Sequence, residues 1–190
     1  MKRNLLITKD GSHTFYVPEL DEHYHSVNGA VQESQHIFIE AGFDTCNDDP
    51  INIFEAGFGT GLNALLTALR ATQKKQRVSY TSIEKYPLDE SEIKALNYDM
   101  FTGPEGKRIF NMIHESEWDS STEITAYFTL LKIRGDLVSD NISGKYDLIY
   151  FDAFGPDKQP EMWSRELFGK IAAATEANGV FVTYSSKGDV

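Results

Sequence analysis

The amino-acid sequence predicts an α/β domain in which helices cover both faces of a mostly parallel β-sheet. Apolar segments with strand character alternate with helical segments, as is typical of parallel sheets with crossover helices. A glycine-rich turn follows the first of these strands, and acidic residues end several of them. We expect the sheet strands at residues 51–55, 78–83, 127–133, 146–151 and 180–184.

Residues 1–50 are expected to add an N-terminal hairpin and a helix to this sheet. The expected elements are strands at 5–8 and 13–17 and a helix at about 29–41. The Asp10-Gly11 dipeptide favours a tight turn between the two strands. Ser26 or Asn28 is suited to cap the helix, and Gly42 is suited to end it.

Helices are also expected between the strands of the sheet. Their expected positions are 61–72, about ten residues from Pro87, 108–118 and 161–177. Asp89 and Glu90 would support the first turn of the helix that Pro87 opens, because carboxylates favour the positive end of a helix dipole. Asn178-Gly179 would close the last helix.

Length and composition indicate one globular domain. The chain has 190 residues, of which 41% are hydrophobic, with residues 51–190 expected as its core. The sequence contains no apolar run long enough to span a membrane, so no membrane association is expected. The single cysteine, Cys46, excludes an internal disulfide and fits a reducing compartment, so a cytoplasmic location is expected.

The charge balance bears on nucleic-acid binding. The formal net charge is −11, whereas proteins that grip nucleic acid over a broad surface usually have a basic face. The compact basic run formed by Lys74, Lys75 and Arg77 is better suited to the end of the preceding helix. The acidity counts against an RNA substrate without excluding one.

The segment from Glu55 to Asn63 indicates a cofactor site. Gly57, Gly59 and Gly61 lie between a strand and a helix N-terminus, where the absence of Cβ atoms allows a ligand to approach backbone amides. The spacing departs from the G-x-G-x-x-G pattern of dinucleotide-binding proteins. The acid two positions before the glycines favours S-adenosylmethionine, whose zwitterionic tail carries no phosphate. A tight turn without a ligand is the alternative.

Acidic residues at the carboxyl ends of the strands suggest one shared ligand site. In parallel sheets these ends lie along the edge where ligands bind. The acids are Glu55, Glu84, Asp136 and Asp152. Glu84 is placed to accept hydrogen bonds from two ribose hydroxyls, and Asp136 is placed to accept one from an adenine amino group. A surface acid and an ordinary turn residue are the respective alternatives.

Asp152 is the candidate catalytic residue, since it follows the fourth strand, where the transferred group would be exposed. A carboxylate of ordinary pKa, about 3.9, is a weak base, so we expect Asp152 to orient a neutral amine and to receive its proton late. Helix capping is the alternative role. Phe154 and Trp163 are candidates to stack on a flat substrate, although such aromatics often pack in a core.

Metal-dependent and serine-nucleophile chemistry are not expected. His23, His25 and Cys46 lack a fourth ligand at a spacing typical of zinc sites. The G-x-S-x-G pattern of the nucleophile elbow is also absent from the sequence.

Taken together, these segments resemble the MnmC-type methyltransferases, in order from about residue 10 to the end. The matching segments are Tyr24-His25-Ser26, Gly29-Ala30, Glu33-Ser34, Glu55–Asn63, Ser82–Pro87, Asp152–Pro156, Pro160–Trp163 and Thr183-Tyr184-Ser185. The resemblance implies a class I, Rossmann-like methyltransferase fold with S-adenosylmethionine as methyl donor. It also implies N-methylation of the aminomethyl group on the wobble uridine of certain tRNAs, giving 5-methylaminomethyl-2-thiouridine.

The resemblance also implies site residues and domain organisation. It assigns catalysis to Asp152 and cofactor binding to Glu55, Gly57, Gly59, Gly61, Glu84 and Asp136, and the same loop adds Phe58 and Asn63 as cofactor-binding candidates. Some family members carry a fused flavin-dependent oxidase. This chain looks like the stand-alone form, so FAD is not expected.

The chain departs from the family pattern at its C-terminus. The family's domain normally continues past Thr-Tyr-Ser through a helix and two antiparallel strands, whereas this sequence stops at Asp189-Val190. A truncated domain, with the last strand as an unpaired edge, is therefore expected.

Three other functions stay open at this point. A methyltransferase acting on a small amine would suit the acidity better. An NAD-dependent oxidoreductase is disfavoured by the glycine spacing, and a binding module without activity is the third possibility. The sequence does not indicate an oligomeric state.

Overall fold

A computed structural model describes residues 1–185 of the chain. Its main sheet has six strands in the order β6-β7-β5-β4-β8-β9. The strands are β4 (Ile51–Ala56), β5 (Val78–Glu84), β6 (Ser121–Thr125), β7 (Phe128–Arg134), β8 (Tyr146–Phe151) and β9 (Thr175–Thr183). All neighbouring pairs are parallel except β6 and β7. The expected mostly parallel α/β sheet is confirmed.

Helices cover both faces of this sheet. They are α1 (Ala30–Ser34), α2 (Leu62–Lys74), α3 (Glu90–Ala95), α4 (Asp99–Glu115) and α5 (Arg165–Ala174). A π-helix, Gln35–Glu40, continues α1, and 3₁₀ turns lie at Phe43–Thr45 and Pro160–Trp163. Two clusters of buried apolar side chains fill the layers on either side of the sheet, and α2 and α5 contribute to different clusters. Within residues 1–185, none of the helices combines the length and apolar character needed to span a bilayer.

The N-terminal region forms a separate antiparallel sheet of three strands. These are β1 (Asn4–Ile7), β2 (His13–Val17) and β3 (Glu22–His23). The expected cap of α1 is wrong, because the N-cap residue is Gly29, which makes no side-chain capping bond. The hairpin supplies the cap instead: Ser12 Oγ accepts from the Ala30 amide at 3.1 Å, and Asp10 accepts from the Gln32 amide at 3.2 Å. The free N–H groups at a helix start can donate to the oxygen of a distant side chain just as they donate to that of an N-cap residue.

Two other helix boundaries differ from expectation. Helix α3 begins at Glu90 rather than Pro87, because Asp89 caps it and forms a reciprocal capping box with Glu92. Helix α4 begins nine residues earlier than expected, at Asp99 rather than Arg108. The Gly103-Pro104 break lies inside it as a kink, with Gly103 at φ 67°.

The C-terminal boundary between helix and strand was also predicted wrongly. The expected helix over 161–177 is a 3₁₀ turn followed by α5, which ends at Ala174. Asn178-Gly179 lies within β9, where the pairing with β8 shifts between Tyr146–Thr175 and Leu148–Val180. The extra residues form an irregularity in the strand instead of closing a helix. Among the described residues, β9 is the outermost strand on its side of the sheet.

Strand β6 has no counterpart in the sequence-based expectation. Its five residues, Ser121–Thr125, pair antiparallel with β7. Only one of the five, Ile124, is buried, so the segment lacks the apolar pattern by which a buried strand is recognised.

Candidate active site

A cleft of about 320 Å³ lies at the carboxyl ends of the central strands. It is bordered by the loops after β4, β5, β7 and β8 and by part of the N-terminal region. Eight of the eleven residues predicted to form the site line it: Gly57, Phe58, Gly59, Asn63, Glu84, Asp136, Asp152 and Phe154. Glu55, Gly61 and Trp163 are not on its surface.

The glycine loop leaves room in the cleft. Gly57 and Gly59 have φ values of 93° and 53°, in the left-handed region that glycine adopts without strain. A Cβ at Gly57 would lie 3.0 Å from the carbonyl oxygen of Asp152, and one at Gly59 would lie 3.2 Å from the ring of Tyr24. Both positions therefore require glycine for conformation and for space.

The backbone amides of this loop point toward β5. The amides of Gly57 and Phe58 both donate to the carbonyl oxygen of Ile83, at 3.1 and 3.3 Å. The Gly59 amide donates to Glu84 Oε2 at 2.9 Å. These three amides therefore have acceptors within the protein, and the direct contact with a ligand that the sequence suggested stays a prediction.

Gly61 has a packing role behind the cleft surface. It is the N-cap of α2, and a Cβ there would lie 3.0 Å from both His114 Nε2 and the Phe58 ring. His114 Nε2 lies 3.1 Å from the carbonyl oxygen of Thr60. The third glycine allows His114 to pack against the loop, and its predicted contact with a cofactor stays a prediction.

Glu84 links two of the loops that border the cleft. Besides the bond from Gly59, its other carboxylate oxygen accepts from the amide of Tyr86 at 2.8 Å. The carboxylate therefore has a defined orientation at the end of β5, with its remaining lone pairs available to a ligand.

Asp136 lies across the cleft in an ion pair that the sequence did not indicate. Lys85 Nζ lies 2.7 Å from Asp136 Oδ2, and the Val138 amide donates to Oδ1 at 3.1 Å. The hydrogen bond from Lys85 is the main cause that holds the pKa of Asp136 below its usual range. Asp136 is thus ionised at neutral pH and limited to acceptor roles.

Asp152 is held by the side-chain amide of Asn63. Asn63 Nδ2 donates to Asp152 Oδ2 at 2.8 Å. Burial raises the pKa of Asp152 to about 7, although the hydrogen bond from Asn63 opposes the shift. The expectation of a weak base with an ordinary pKa is therefore wrong, because the sequence does not report how strongly the carboxyl is desolvated.

Glu55 lies beneath the cleft surface, with no exposed area. Its carboxyl group accepts from Asn63 Nδ2 at 3.1 Å and from Ser82 Oγ at 2.7 Å. Burial raises its pKa to about 8, so this group is mostly protonated at neutral pH. β4 extends one residue further, to Ala56, so Glu55 is not the last residue of the strand. Its side chain faces the layer under α2, where Asn63 lies.

The two candidate aromatics have different surroundings. Phe154 lines the cleft and meets Tyr24 edge to face, with ring centroids 5.2 Å apart. Trp163 packs against Phe151 with centroids 5.0 Å apart and donates Nε1–H to the carbonyl oxygen of Phe154 at 2.7 Å. Trp163 thus supports the backbone of Phe154, and its predicted stacking on a substrate stays a prediction.

Sequence reasoning missed the contribution of the N-terminal region to the cleft. Met1, Leu20, Tyr24 and His25 all line it. Tyr24 and His25 belong to a segment that carries the family resemblance, which was the available signal. Burial lowers the pKa of His25 to about 4, so this histidine is neutral at physiological pH. No group of three or more potential metal-ligating side chains was found among residues 1–185.

Comparison with known proteins agrees with this geometry. Residues 108–190 match the model of a family described as S-adenosyl-L-methionine-dependent methyltransferase. The chain is 30% identical over 210 residues to the tRNA 5-methylaminomethyl-2-thiouridine biosynthesis bifunctional protein MnmC of Burkholderia thailandensis. The protein of the same name from Leptospira borgpetersenii is 32% identical over 185 residues. These alignments cover 98% and 87% of this chain but only 30% and 27% of the relatives.

A solved structure supports the same assignment. The crystal structure of MnmC2 from Aquifex aeolicus superposes with a TM-score of 0.80 at 28% identity, covering 97% of this chain and 60% of that one. Over nearly its whole length the chain is thus similar to the MnmC-type methyltransferases. The mostly parallel sheet with helices on both faces is accordingly the Rossmann-like fold of class I methyltransferases. The chain spans less than a third of the length of the curated MnmC relatives.

Proposed function

We propose that this chain transfers a methyl group from S-adenosylmethionine to the amine of 5-aminomethyl-2-thiouridine at the wobble position of tRNA. The product would be 5-methylaminomethyl-2-thiouridine, the nucleoside named in the MnmC relatives. The observation that carries the proposal is the position of Asp152, whose carboxyl group lies in the cleft beside the glycine loop and is held by Asn63.

The residues that line the cleft fit S-adenosylmethionine. Gly57 and Gly59 line the cleft without side chains, and a Cβ at either would crowd Asp152 or Tyr24. Glu84 has an oriented carboxylate suited to the two ribose hydroxyls, and Asp136 is an ionised acceptor suited to the adenine amino group. Phe58 and Asn63 border the same space. When bound, the cofactor supplies an electrophilic methyl group on a positively charged sulfur.

Asp152 is suited to remove the proton that prevents an amine from reacting. An alkylamine is mostly protonated at neutral pH and becomes a nucleophile only after it loses a proton. A base works best when its pKa lies near the operating pH, and burial raises the pKa of Asp152 to about 7. The carboxylate would orient the ammonium group through a charge-assisted hydrogen bond and then accept its proton.

Aromatic side chains form the opening of the cleft next to Asp152. Phe154 follows it by two residues, and Tyr24 contacts Phe154 edge to face. These rings would lie against the flat base of the substrate and keep water from the amine. Trp163 would act on this contact indirectly, by fixing the carbonyl group of Phe154.

A small-molecule amine is the second candidate substrate, and the charge of the chain favours it. The net charge is −11. The two lysines that line the cleft are each ion-paired, Lys85 with Asp136 and Lys158 with Asp21. An amine without phosphates would not need a basic surface.

The test uses methyl-labelled S-adenosylmethionine and tRNA from cells that lack this methylation, followed by nucleoside analysis. We expect label in 5-methylaminomethyl-2-thiouridine and a loss of at least about 100-fold in kcat for Asp152→Asn, which removes the base. Asp99→Asn is the control, because Asp99 forms an exposed pair with Lys107 on α4. Cofactor binding without labelled tRNA would favour the small amine, and full activity of Asp152→Asn would refute the role of Asp152.

A further inference from the structure

One asparagine connects two carboxyl groups at the floor of the cleft. Asn63 Nδ2 lies 3.1 Å from Glu55 Oε1 and 2.8 Å from Asp152 Oδ2. Both hydrogens of the amide are therefore committed to these two acceptors. The orientation of the amide follows from Asp152, since the opposite one would direct the amide oxygen at an ionised carboxylate, which can only accept. Asn63 Oδ1 is buried and has no hydrogen-bond partner among residues 1–185.

Glu55 occupies a position where a charge is costly. It lies on β4, which is paired on both sides by β5 and β8, and it has no exposed area. Ser82 Oγ and Asn63 Nδ2 donate to its two oxygens, and the phenol of Tyr80 is a third polar neighbour. Ionising both Glu55 and Asp152 would place two negative charges on either side of a single amide group, without a cation among their hydrogen-bond partners.

We propose that Glu55 is a positioning residue for Asp152 and acts through Asn63. Protonated Glu55 anchors the amide from below, and the amide in turn fixes the orientation of the Asp152 carboxylate, which is then the single negative charge of this group. The inference rests on the proposed role of Asp152. The sequence predicted that Glu55 contacts the cofactor directly. In this proposal Glu55 instead orients Asp152 through Asn63.

The electrostatics of the site indicate that Asp152 ionises before Glu55. The pKa of Glu55 is raised to about 8, mainly by burial and in part by the charge of Asp152. The pKa of Asp152 is about 7. Glu55 has no exposed area, whereas Asp152 is partly exposed in the cleft, so ionising Glu55 is the more costly of the two. Asp152 therefore loses its proton first, and the two groups titrate as a coupled pair.

Other titratable groups near the pair do not reverse this order. The negative charge of Glu33 on α1 raises the pKa of Asp152. Tyr80, Tyr98 and Tyr184 also sense the charge of Asp152, and burial raises the pKa of each above its ordinary value of 10.0. These three phenols stay neutral in the range in which Glu55 and Asp152 titrate.

The test is a carbon-13 NMR titration of the side-chain carboxyl groups in the protein without substrate. In the parent protein we expect the Asp152 signal to move in two steps, the second reporting the ionisation of Glu55. Glu55→Gln should lose the second step. Asn63→Ala should raise the midpoint of Asp152 by about half a pH unit or more, since it removes a hydrogen bond to the charged form.

The control variant is Asn52→Ala. Asn52 Nδ2 donates to Asp147 at 3.2 Å near the start of β4, so it is a similar asparagine–aspartate pair distant from the cleft. It should leave the Asp152 titration unchanged. The kinetic counterpart is the acid limb of kcat/KM, which should follow the Asp152 midpoint measured for each variant.

Three outcomes would overturn the inference. The first is a second step of the Asp152 signal that persists in Glu55→Gln. The second is an Asn63→Ala midpoint equal to that of the parent. The third is a tenfold or larger loss of affinity for S-adenosylhomocysteine in Glu55→Gln by calorimetry, which would indicate that Glu55 contacts the cofactor. Because the titration needs no tRNA, a failure of the proposed substrate would not be mistaken for a failure of this inference.

Discussion

The guanidinium group of Arg3 forms an ion pair with the carboxylate of Glu92, 89 positions along the chain. Arg3 Nη1 lies 3.2 and 2.9 Å from the two carboxylate oxygens. Its Nε donates to the hydroxyl group of Tyr24 at 2.8 Å, and its Nη2 donates to the carbonyl oxygen of Tyr86. Arg3 thus joins the N-terminal segment to the loop after β5, and Tyr24 and Tyr86 both line the cleft.

Replacing Arg3 should therefore affect stability and the cleft together. The side chain of Arg3 is only 5% exposed and that of Glu92 is 17% exposed. Removing one partner of such a pair leaves a poorly solvated carboxylate, so Arg3→Ala should lower the free energy of unfolding by about 2–3 kcal/mol. We also expect weaker binding of S-adenosylhomocysteine. Urea denaturation and calorimetry measure the two effects.

Arg77→Ala is the matched control for this prediction. Arg77 pairs with Asp49 at 3.0 Å, but both side chains are at least half exposed. Exposed pairs contribute about 0–1 kcal/mol, so this variant should remain close to the parent. Equal stability losses in Arg3→Ala and Arg77→Ala would contradict the conclusion that Arg3 stabilises the fold by joining the N-terminal segment to the loop after β5.

Gly57→Ala should remove cofactor binding and lower stability. Its φ of 93° is unfavourable for alanine, and the added Cβ would lie 3.0 Å from the carbonyl oxygen of Asp152. A left-handed conformation alone costs an alanine about 1–2 kcal/mol. Thermal denaturation with and without S-adenosylhomocysteine should show a lower Tm and no stabilisation by the ligand.

Gly169→Ala is the matched control, and we expect it to have the opposite effect on stability. Gly169 lies in α5, and apart from its chain neighbours and the backbone of its own helix, no described atom lies within 4 Å of the position its Cβ would take. Alanine is favoured over glycine inside a helix by about 0.5–1 kcal/mol, so this variant should be more stable than the parent and bind the ligand normally. A Gly57→Ala protein that is as stable as Gly169→Ala and binds the ligand equally well would contradict the requirement for glycine at position 57.

Stability should fall between about pH 4.5 and pH 8 because of Glu55. The pKa of Glu55 is raised from 4.5 to about 8 on folding, so the folded protein keeps a proton that the unfolded chain releases in this range. The contribution of Glu55 is therefore complete below pH 4.5 and is lost as the pH rises through 8. One proton corresponds to a slope of at most about 1.4 kcal/mol per pH unit.

Urea denaturation of the parent and Glu55→Gln at a series of pH values checks this prediction. Glutamine cannot ionise, so the variant should lose less stability between pH 5 and pH 8 than the parent. Asp152, whose pKa is raised from 3.8 to about 7, contributes a slope of the same sign that both proteins retain. Parallel curves for the two proteins would contradict a protonated Glu55.

Lys132 is a buried cation behind the glycine loop. Only 1% of the residue is exposed, and its ammonium group lies 4.9 Å from the Trp118 ring centroid and 5.7 Å from that of Phe58. It donates to the carbonyl oxygens of Ile113, at 2.7 Å, and His114, at 3.2 Å, at the end of α4. Burial lowers its pKa to about 8.

Lys132→Ala should lower the free energy of unfolding by about 2–4 kcal/mol, because it leaves a cavity and unbonded carbonyl groups. Lys145→Ala is the control, since Lys145 is exposed and also donates to a helix-terminal carbonyl oxygen, that of Ala173, at 2.7 Å. This control should cost less than about 1 kcal/mol. Similar losses in the two variants by urea denaturation would contradict a structural role for the buried lysine.

Elements with a strong local pattern were predictable from the sequence. The strand Ile51–Ala56, the glycine turn and the helix Leu62–Lys74 follow one another with apolar residues at the required spacing. The positions of Glu84, Asp136 and Asp152 at one edge of the sheet followed from parallel topology alone. Polar β6, with one buried residue of five, carries no such pattern and was missed.

Boundaries that depend on distant contacts were not predictable. The first turn of α1 is capped by Asp10 and Ser12, which lie in a hairpin earlier in the chain. The strand β9 begins where a continued helix was expected, because residues from Thr175 onward pair with β8. In both places the backbone groups are satisfied by partners that sequence spacing does not reveal.

The sequence by itself determined the fold class, the glycine turn and which acids gather at one edge of the sheet, because these depend on local periodicity and on the handedness of the crossovers. Only the tertiary structure decided how those acids are charged. Asp136 is ionised by its pair with Lys85, whereas burial raises the pKa of Glu55 to about 8 and that of Asp152 to about 7. Desolvation and neighbouring charges set a pKa, and both arise only when distant parts of the chain pack together.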